Sequence, residues 1–174
     1  GDTSLAVGDE KGQISTWMPV SKPGSGEDKQ LTLIHHLPGF TQPVQRLLAS
    51  PRDKSLAAFD ASGSIKLLHM TSERLLLELK AGSAAAAAAF ADNGRKLVVA
   101  GSDGKIVAWK LAIPHPEVSF TTLLGKVWYE GYDKPEYVWQ SSAATDDFEP
   151  KMSLVPLIFG PAMGMDTVQI GFFI

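Results

Sequence analysis

Apolar and polar residues recur in a short pattern that appears three times along the chain. Each copy has a short apolar run, a polar turn that ends in glycine, and a second run in which apolar and polar residues alternate. The copies begin with SLAVG, SLAAF and KLVVA and reach their turn glycines at Gly12, Gly63 and Gly104. Alternation with a period of two is typical of a half-buried β-strand, and glycine tolerates the positive φ that tight turns require. Each copy therefore predicts a β-hairpin, with positive φ at some of these glycines.

The copies align with one another without gaps within the hairpin, at separations of 41 and 51 positions, and the extra ten residues fall in the loop-like stretch 20–30. Leu56 matches Leu97 and Ile65 matches Ile106, 41 positions apart, and Leu5 matches Leu56, 51 positions apart. Further runs with strand composition precede the hairpins (VQRLLAS, AAAAAAF) or follow them (LTLIHHL, RLLLELK, EVSFTTLL). Four strands per repeat of roughly 40 residues is the organisation of a β-propeller blade.

Six consecutive alanines, residues 84–89, are the one local signal against this interpretation. Alanine has the highest intrinsic helix propensity. In the register of the repeat, however, these residues occupy the position of PVQRLLA, where a strand fits. The strands nearest a propeller axis are crowded, and small side chains suit them. We therefore predict a strand here.

The repeats resemble degenerate WD repeats. Trp17 and Trp109 match the tryptophan of that repeat, but Met18 and Lys110 stand where its aspartate is expected. This resemblance implies an architecture and not a function, because such folds host many functions. We predict an all-β fold: a partial β-propeller of about three WD-like, four-stranded antiparallel blades, the remainder of a larger propeller. The predicted blades are residues 3–40, 43–81 and 82–125.

The composition changes after residue 125. In residues 126–160, the connector, five aromatic residues lie between Trp128 and Trp139, interleaved with acidic residues, glycine and proline. The apolar run SLVPLIFG follows later in the connector. Belts of Trp and Tyr are common at membrane interfaces, and an aromatic clasp packed on the last blade is an equal alternative. The candidate interface or membrane-proximal residues are Trp128, Tyr129, Tyr132, Tyr137 and Trp139. We expect residues 161–174 to be an atypical tail that is not native to the protein.

The connector sequence VWYEGYDKPEYVWQSSAATDDFEPKMSLVPLIFG resembles a segment of PstC-type permeases, which belong to phosphate-type ABC transporters of Gram-negative bacteria. In the long members of that family, this segment lies between a large extracytoplasmic domain and the next membrane helices. Residues 161–174 depart from the family pattern.

The resemblance implies an accessory, non-catalytic domain at the periplasmic face of the inner membrane. Its role would be docking or regulation during phosphate import. The implied partners are the periplasmic phosphate-binding protein and the second permease subunit. The alternative is an unrelated WD-like propeller, either a scaffold or a fragment of an enzyme.

Composition and charge exclude several other classes of function. The net charge is -3 with scattered Lys and Arg, which gives no case for nucleic acid, and the absence of cysteine excludes disulfides and thiolate chemistry. His35 and His36 are adjacent on a predicted strand and therefore point to opposite faces. The acidic residues at 146–149 lack the spacing of a calcium loop. We predict no catalytic residue, no cofactor and no metal site.

An incomplete propeller leaves two blade faces without a neighbour. Their apolar side chains would meet water and form patches larger than most soluble monomers carry. We therefore expect a homo-oligomer, most simply a dimer joined two-fold or by strand exchange, with the blade faces in its interface.

Overall fold

The computed structural model describes residues 4–22, 28–140 and 149–159. These residues form twelve β-strands and two short helices. The first sheet, sheet 1, has three antiparallel strands in the order β1–β2–β3. They are β1 (Leu5–Gly8), β2 (Ile14–Ser21) and β3 (Lys29–Leu37). The first repeat therefore contributes three described strands.

The second repeat forms a complete four-stranded sheet, sheet 2, in the order β4–β5–β6–β7. Every neighbouring pair is antiparallel. The strands are β4 (Val44–Ala49), β5 (Ser55–Asp60), β6 (Ser64–His69) and β7 (Arg74–Lys80). All four follow the predicted runs, so the blade-like strand count is confirmed for this repeat.

The third repeat forms sheet 3 from three antiparallel strands in the order β10–β9–β8. They are β8 (Ala85–Ala91), β9 (Lys96–Gly101) and β10 (Ile106–Lys110). The alanine-rich stretch is thus a strand, as predicted. Its pairing with β9 and the register of the repeat outweigh the helix propensity of alanine.

The fourth strand predicted for the third repeat, EVSFTTLL, is wrong. A short helix, α1 (Phe120–Leu124), begins there instead. The hydroxyl of Ser119 accepts a hydrogen bond from the Thr122 amide at 3.1 Å, and the Thr122 hydroxyl accepts one from the Ser119 amide at 2.7 Å. These two side chains satisfy the backbone amides of Ser119 and Thr122. In a strand, such amides would have needed acceptors on a neighbouring strand.

The connector contains further short paired segments. Val127 and Glu136 form an isolated antiparallel bridge. A two-stranded sheet follows, made of β11 (Trp139–Gln140) and β12 (Lys151–Met152), and then helix α2 (Val155–Phe159). The predicted atypical tail, residues 161–174, lies outside the described residues.

The core lies on both faces of sheet 2. One face packs against sheet 1 and the other against sheet 3, so every residue of β5 is buried. Successive residues of a strand point to opposite faces, which makes a strand covered on both sides continuously apolar. The side chains facing sheet 1 are Leu56, Ala58 and Leu68. Those facing sheet 3 are Ala57, Phe59, Ile65 and Leu67.

The three turn glycines have the predicted backbone conformation, with φ of +82° at Gly12, +86° at Gly63 and +80° at Gly104. A Cβ at Gly63 would also overlap the carbonyl oxygen of Ser83, because the turn packs against the loop that enters the next sheet. The all-β class is therefore confirmed. Among the described residues, the outer faces of sheets 1 and 3 have no neighbouring sheet.

Candidate functional site

The connector lies at one end of the stacked sheets, opposite the glycine turns. Adjacent antiparallel strands reverse direction, so the β4–β5 and β6–β7 turns lie at the end remote from Gly63. The chain reaches this end directly after β10. The Ser72 hydroxyl donates to the Pro116 carbonyl at 3.0 Å, and Arg74 Nη1 donates to the His115 carbonyl at 3.0 Å. The chain therefore returns from sheet 3 across sheet 2.

Beyond sheet 2, the connector reaches the beginning of sheet 1. The Ser4 amide donates to Glu130 Oε1 at 2.8 Å, and the other carboxylate oxygen of Glu130 pairs with the ammonium of Lys54. The Ser21 amide donates to Asp133 Oδ1 at 3.1 Å. Two acidic side chains of the connector, Glu130 and Asp133, thus bind it to the strand ends of sheets 1 and 2.

His35 forms a second link between the connector and the sheets. Its Nδ1 lies 2.8 Å from Glu73 Oε1, and its Nε2 lies 3.2 Å from the Trp128 carbonyl oxygen. One imidazole ring therefore links β3 both to the β6–β7 turn and to the connector. The next residue, His36, is exposed, as alternation along β3 predicts.

A cavity of about 20 Å³ lies beside these contacts, enclosed by sheet 1, sheet 2 and the connector. It is lined in part by Thr16, Met70 and Trp128, and the buried Thr16 hydroxyl has no hydrogen-bond partner within the described chain. A second cavity of about 20 Å³ lies near Ser55 and Leu111. Each holds about one water molecule, which is too little room for phosphate or an organic substrate.

The described part of the chain contains no group of three or more His, Cys, Asp or Glu placed to hold a metal ion. We call the polar contacts that join the connector to sheets 1 and 2 at this end of the sheets the junction.

Tyr129 forms the centre of the folded connector. It is 2% exposed and packs with Val127 and Val138, and its ring meets that of Tyr132 edge-on at a centroid distance of 6.0 Å. Burial raises the pKa of its phenol to about 12, and the negative charge of Glu149 adds to this effect.

Lys151 joins the two halves of the connector. Its side chain is buried, and Nζ lies 5.6 Å from the centre of the Tyr129 ring and 5.7 Å from that of Tyr132. Nζ also lies 3.3 Å from Gln140 Oε1. An ammonium over aromatic faces is stabilised by the ring quadrupoles, more strongly when it is desolvated.

The other predicted interface aromatics are half-buried. Trp128 donates through Nε1 to the Tyr132 carbonyl at 2.7 Å, and Tyr137 lies under Lys126 Nζ at 5.6 Å. Trp139 is part of β11. The five residues therefore do not form one outward aromatic belt, because Tyr129 packs in the interior and Trp128 against the sheets.

The two repeat tryptophans also differ in their surroundings. Trp17 donates to the Ser15 hydroxyl at 2.9 Å, whereas Trp109 packs against the core between sheets 2 and 3. Neither tryptophan is followed by the aspartate that is typical of a WD repeat, so neither takes part in the junction through such a residue.

An exposed apolar surface on α1 and around α2 was not predicted as a site. The amide of Leu154 donates to the Leu123 carbonyl at 2.8 Å and brings the two helices together. The six side chains of this surface, here the terminal apolar patch, are 37–85% exposed. They are Phe120, Leu124, Leu154, Leu157, Ile158 and Phe159. The run SLVPLIFG contains four of the six residues of the patch, but helix α1, which supplies Phe120 and Leu124, was predicted as a strand.

Among residues 4–22, 28–140 and 149–159, no helix has the length and apolar character needed to cross a bilayer. No known protein family and no curated protein matches the chain.

Solved structures with a similar fold are computationally designed proteins. The designed Ika4 protein aligns with a TM-score of 0.51 and 19% identity over 78% of this chain and 71% of its own. The designed Ika8 protein aligns with a TM-score of 0.50 and 22% identity over 63% of this chain, which spans only 31% of Ika8. At these identities the likeness concerns the fold alone.

Proposed function

We propose that this chain is an accessory, non-catalytic extracytoplasmic domain of a PstC-type permease for inorganic phosphate. In this proposal its three sheets are blades of a partial β-propeller, and its connector leads towards the membrane. The role of the domain is docking or regulation at the periplasmic face of the inner membrane. Its partners are the phosphate-binding protein and the second permease subunit.

The arrangement of the sheets supports the blade interpretation. In a propeller, the first strands of successive blades lie together near the axis. Here β4 contacts β8, the first strand of the next repeat, and Arg46 Nη2 of β4 donates to the Ala86 carbonyl of β8 at 2.9 Å. In sheet 1, β4 contacts β1, which is equivalent to the second strand β5. The sheets also stack face to face in chain order, with sheet 2 between the other two.

The terminal apolar patch is the observation that carries the membrane-proximal placement. Phe120 is 85% exposed, and Ile158, which lies in the segment that resembles the approach to the membrane helices of the permease, is 59% exposed. Exposed apolar side chains gathered on two neighbouring helices are typical of a surface that meets a membrane or another protein. The small cavities support a non-catalytic role.

The junction gives the domain a means of docking as one unit. The segment that follows β10 and the connector are bound to sheets 1 and 2 by contacts of Glu130, His35 and Arg74. These contacts therefore couple the terminal apolar patch to the sheets.

Flotation with phosphatidylethanolamine–phosphatidylglycerol vesicles tests the membrane-proximal surface. We expect the wild-type chain to float with the vesicles and the double variant Phe120→Asp, Ile158→Asp to remain at the bottom. Both side chains are exposed, so the substitutions leave the fold intact. The matched control is Leu75→Asp, a comparable change at an exposed leucine on β7 of sheet 2, which should float as wild type. Equal flotation of the double variant would contradict the placement.

Phosphate uptake by cells carrying the intact permease tests the transport role. Deletion of the sheets or introduction of the double variant should lower uptake or remove its regulation, whereas the Leu75→Asp control should not. Unchanged uptake would favour the unrelated scaffold or enzyme. The reading frame is a further discriminator, since membrane helices encoded directly after Gly160 support the permease and a stop codon or another soluble domain refutes it.

A further inference from the structure

Three isoleucines occupy the same position in the three repeats but differ in exposure. Ile14 and Ile65 are each 1% exposed, because each faces the following sheet. Ile106, at the equivalent position of sheet 3, is 72% exposed. Ile106 is thus the type of side chain that packs between sheets elsewhere in the fold, but it lies on the outer face of sheet 3. The described chain provides no sheet to cover that face.

The outer face of sheet 1 shows the complementary case. Leu56 and Leu97 are 2% and 0% exposed because each faces the preceding sheet. The equivalent residue of sheet 1, Leu5, is 50% exposed, and Val7 on the same face is 40% exposed. Sheet 1 therefore presents the half of the interface that sheet 3 lacks.

We propose that the outer face of sheet 3 packs on the outer face of sheet 1 of a second copy of this chain. The contact repeats the interface between sheets 2 and 3, in which Ile65 and Leu97 share one buried cluster. In the proposed contact, Ile106 takes the place of Ile65, and Leu5 of the second copy takes the place of Leu97. The interface joins two unlike faces and is therefore head-to-tail. It specifies the dimer through blade faces that the sequence predicted without naming which faces meet.

Two copies satisfy both faces of each chain at once. Each copy has one face of each kind, so a head-to-tail pair can close into a ring of six sheets. That number lies within the range of about four to eight blades in which propellers close. Closure removes both apolar faces from water, which favours the pair over a monomer. This inference rests on the fold and does not depend on the transport role.

Light scattering of single and mixed variants distinguishes head-to-tail pairing from pairing of like faces. We expect the wild-type chain to be a dimer, and Ile106→Asp and Leu5→Asp each to shift the equilibrium to monomer by at least tenfold. An equimolar mixture of the two variants should regain association, since one undamaged sheet 3 face then meets one undamaged sheet 1 face. Ile158→Asp, on the terminal apolar patch, is the matched control and should remain a dimer.

Each other outcome overturns the proposal. A monomeric wild-type chain at ~100 μM, a concentration far above the dissociation constant of most specific interfaces, would mean that the faces do not pair. Dissociation caused by only one of the two variants, with no rescue in the mixture, would indicate contact between like faces. Dissociation by Ile158→Asp alone would assign the association to the terminal apolar patch.

Crosslinking gives an independent measurement, because the chain has no cysteine. Single variants Ile106→Cys and Leu5→Cys are treated with a short bismaleimide, separately and mixed. Head-to-tail pairing predicts a crosslinked dimer far more abundant in the mixture than in either variant alone. Crosslinks that are as abundant in a single variant would refute it.

Discussion

Lys54 and Glu130 form an ion pair although they are 76 positions apart in the chain. The two side chains are only 20% and 18% exposed, and Glu130 also accepts the amide hydrogen of Ser4. One carboxylate of the connector thus holds the β4–β5 turn and the start of β1 together. This relationship makes the connector part of the fold rather than an appendage.

We expect Lys54→Met to lower the free energy of unfolding by about 2 kcal/mol, between the values typical of exposed and buried ion pairs. The variant leaves a largely buried carboxylate without its cation. Urea denaturation measures the change, and the double variant with Glu130→Gln should recover part of the loss. The control is Lys134→Met, because Lys134 is 76% exposed and lies 3.7 Å from Glu136. A control as destabilised as Lys54→Met would contradict the assignment.

Asp60 stabilises the turn that precedes Gly63. Its carboxylate belongs to a residue that is 3% exposed, and Oδ1 accepts hydrogen bonds from the amides of Ser62 and Ser64 at 2.8 and 2.9 Å. Asp60→Ala should cost about 2–3 kcal/mol, the range for buried hydrogen bonds to a charged group. Asp9 occupies the same repeat position in a more exposed turn, so Asp9→Ala should cost less by chemical denaturation. The reverse order would show that the turn bonds do not set the stability.

Substitutions at two turn glycines distinguish the energetic cost of backbone strain from the cost of steric overlap. Gly63 and Gly104 have φ of +86° and +80°, but only at Gly63 does an added Cβ overlap a neighbour, the Ser83 carbonyl. Gly104→Ala should therefore cost only the conformational term, ~1 kcal/mol. Gly104→Val should cost at least as much, because a β-branched residue resists positive φ. Gly63→Ala should cost more than Gly104→Ala in thermal unfolding, and equal losses would refute the steric contribution.

The strands could be predicted because their signal is local and repeated. At β8 the propensity of alanine pointed to a helix, and the register of the three copies gave the correct strand. The signal failed at residues 117–124, where the spacing of Ser119 and Thr122 formed a helix cap within an otherwise strand-like run.

The junction could not be predicted in the same way. Nothing near Lys54 in the sequence identifies Glu130 as its partner, because the return of the chain across sheet 2 is a property of the whole fold. Similarly, the position of Tyr129 in the interior depends on Lys151, which lies in another segment of the connector. Aromatic composition alone indicated a surface, and only the packing shows which rings face inward.

His69 couples the stability of sheet 2 to pH. The residue is 2% exposed, its Nδ1 accepts a hydrogen bond from the Ser72 amide at 3.2 Å, and the Ser72 hydroxyl oxygen lies 2.9 Å from the same nitrogen. Burial lowers the pKa of this imidazole from 6.5 to about 4, and the opposing effects of Asp53 and Glu117 are smaller. The folded protein therefore keeps His69 neutral at pH values where the unfolded chain binds a proton.

The stability that depends on neutral His69 is fully present above pH 6.5 and is lost as the pH falls from 6.5 towards 4. Across that interval the unfolded state holds more protons than the folded state, so the free energy of unfolding should fall by about 3 kcal/mol from this residue. His69→Asn retains an acceptor for Ser72 but cannot titrate, and its stability should depend less on pH over the same range. His36→Asn removes an exposed imidazole and should keep the wild-type pH dependence. Urea titrations at half-unit pH intervals measure all three chains. If wild type and His69→Asn lose stability in parallel below pH 6.5, another group carries the pH dependence.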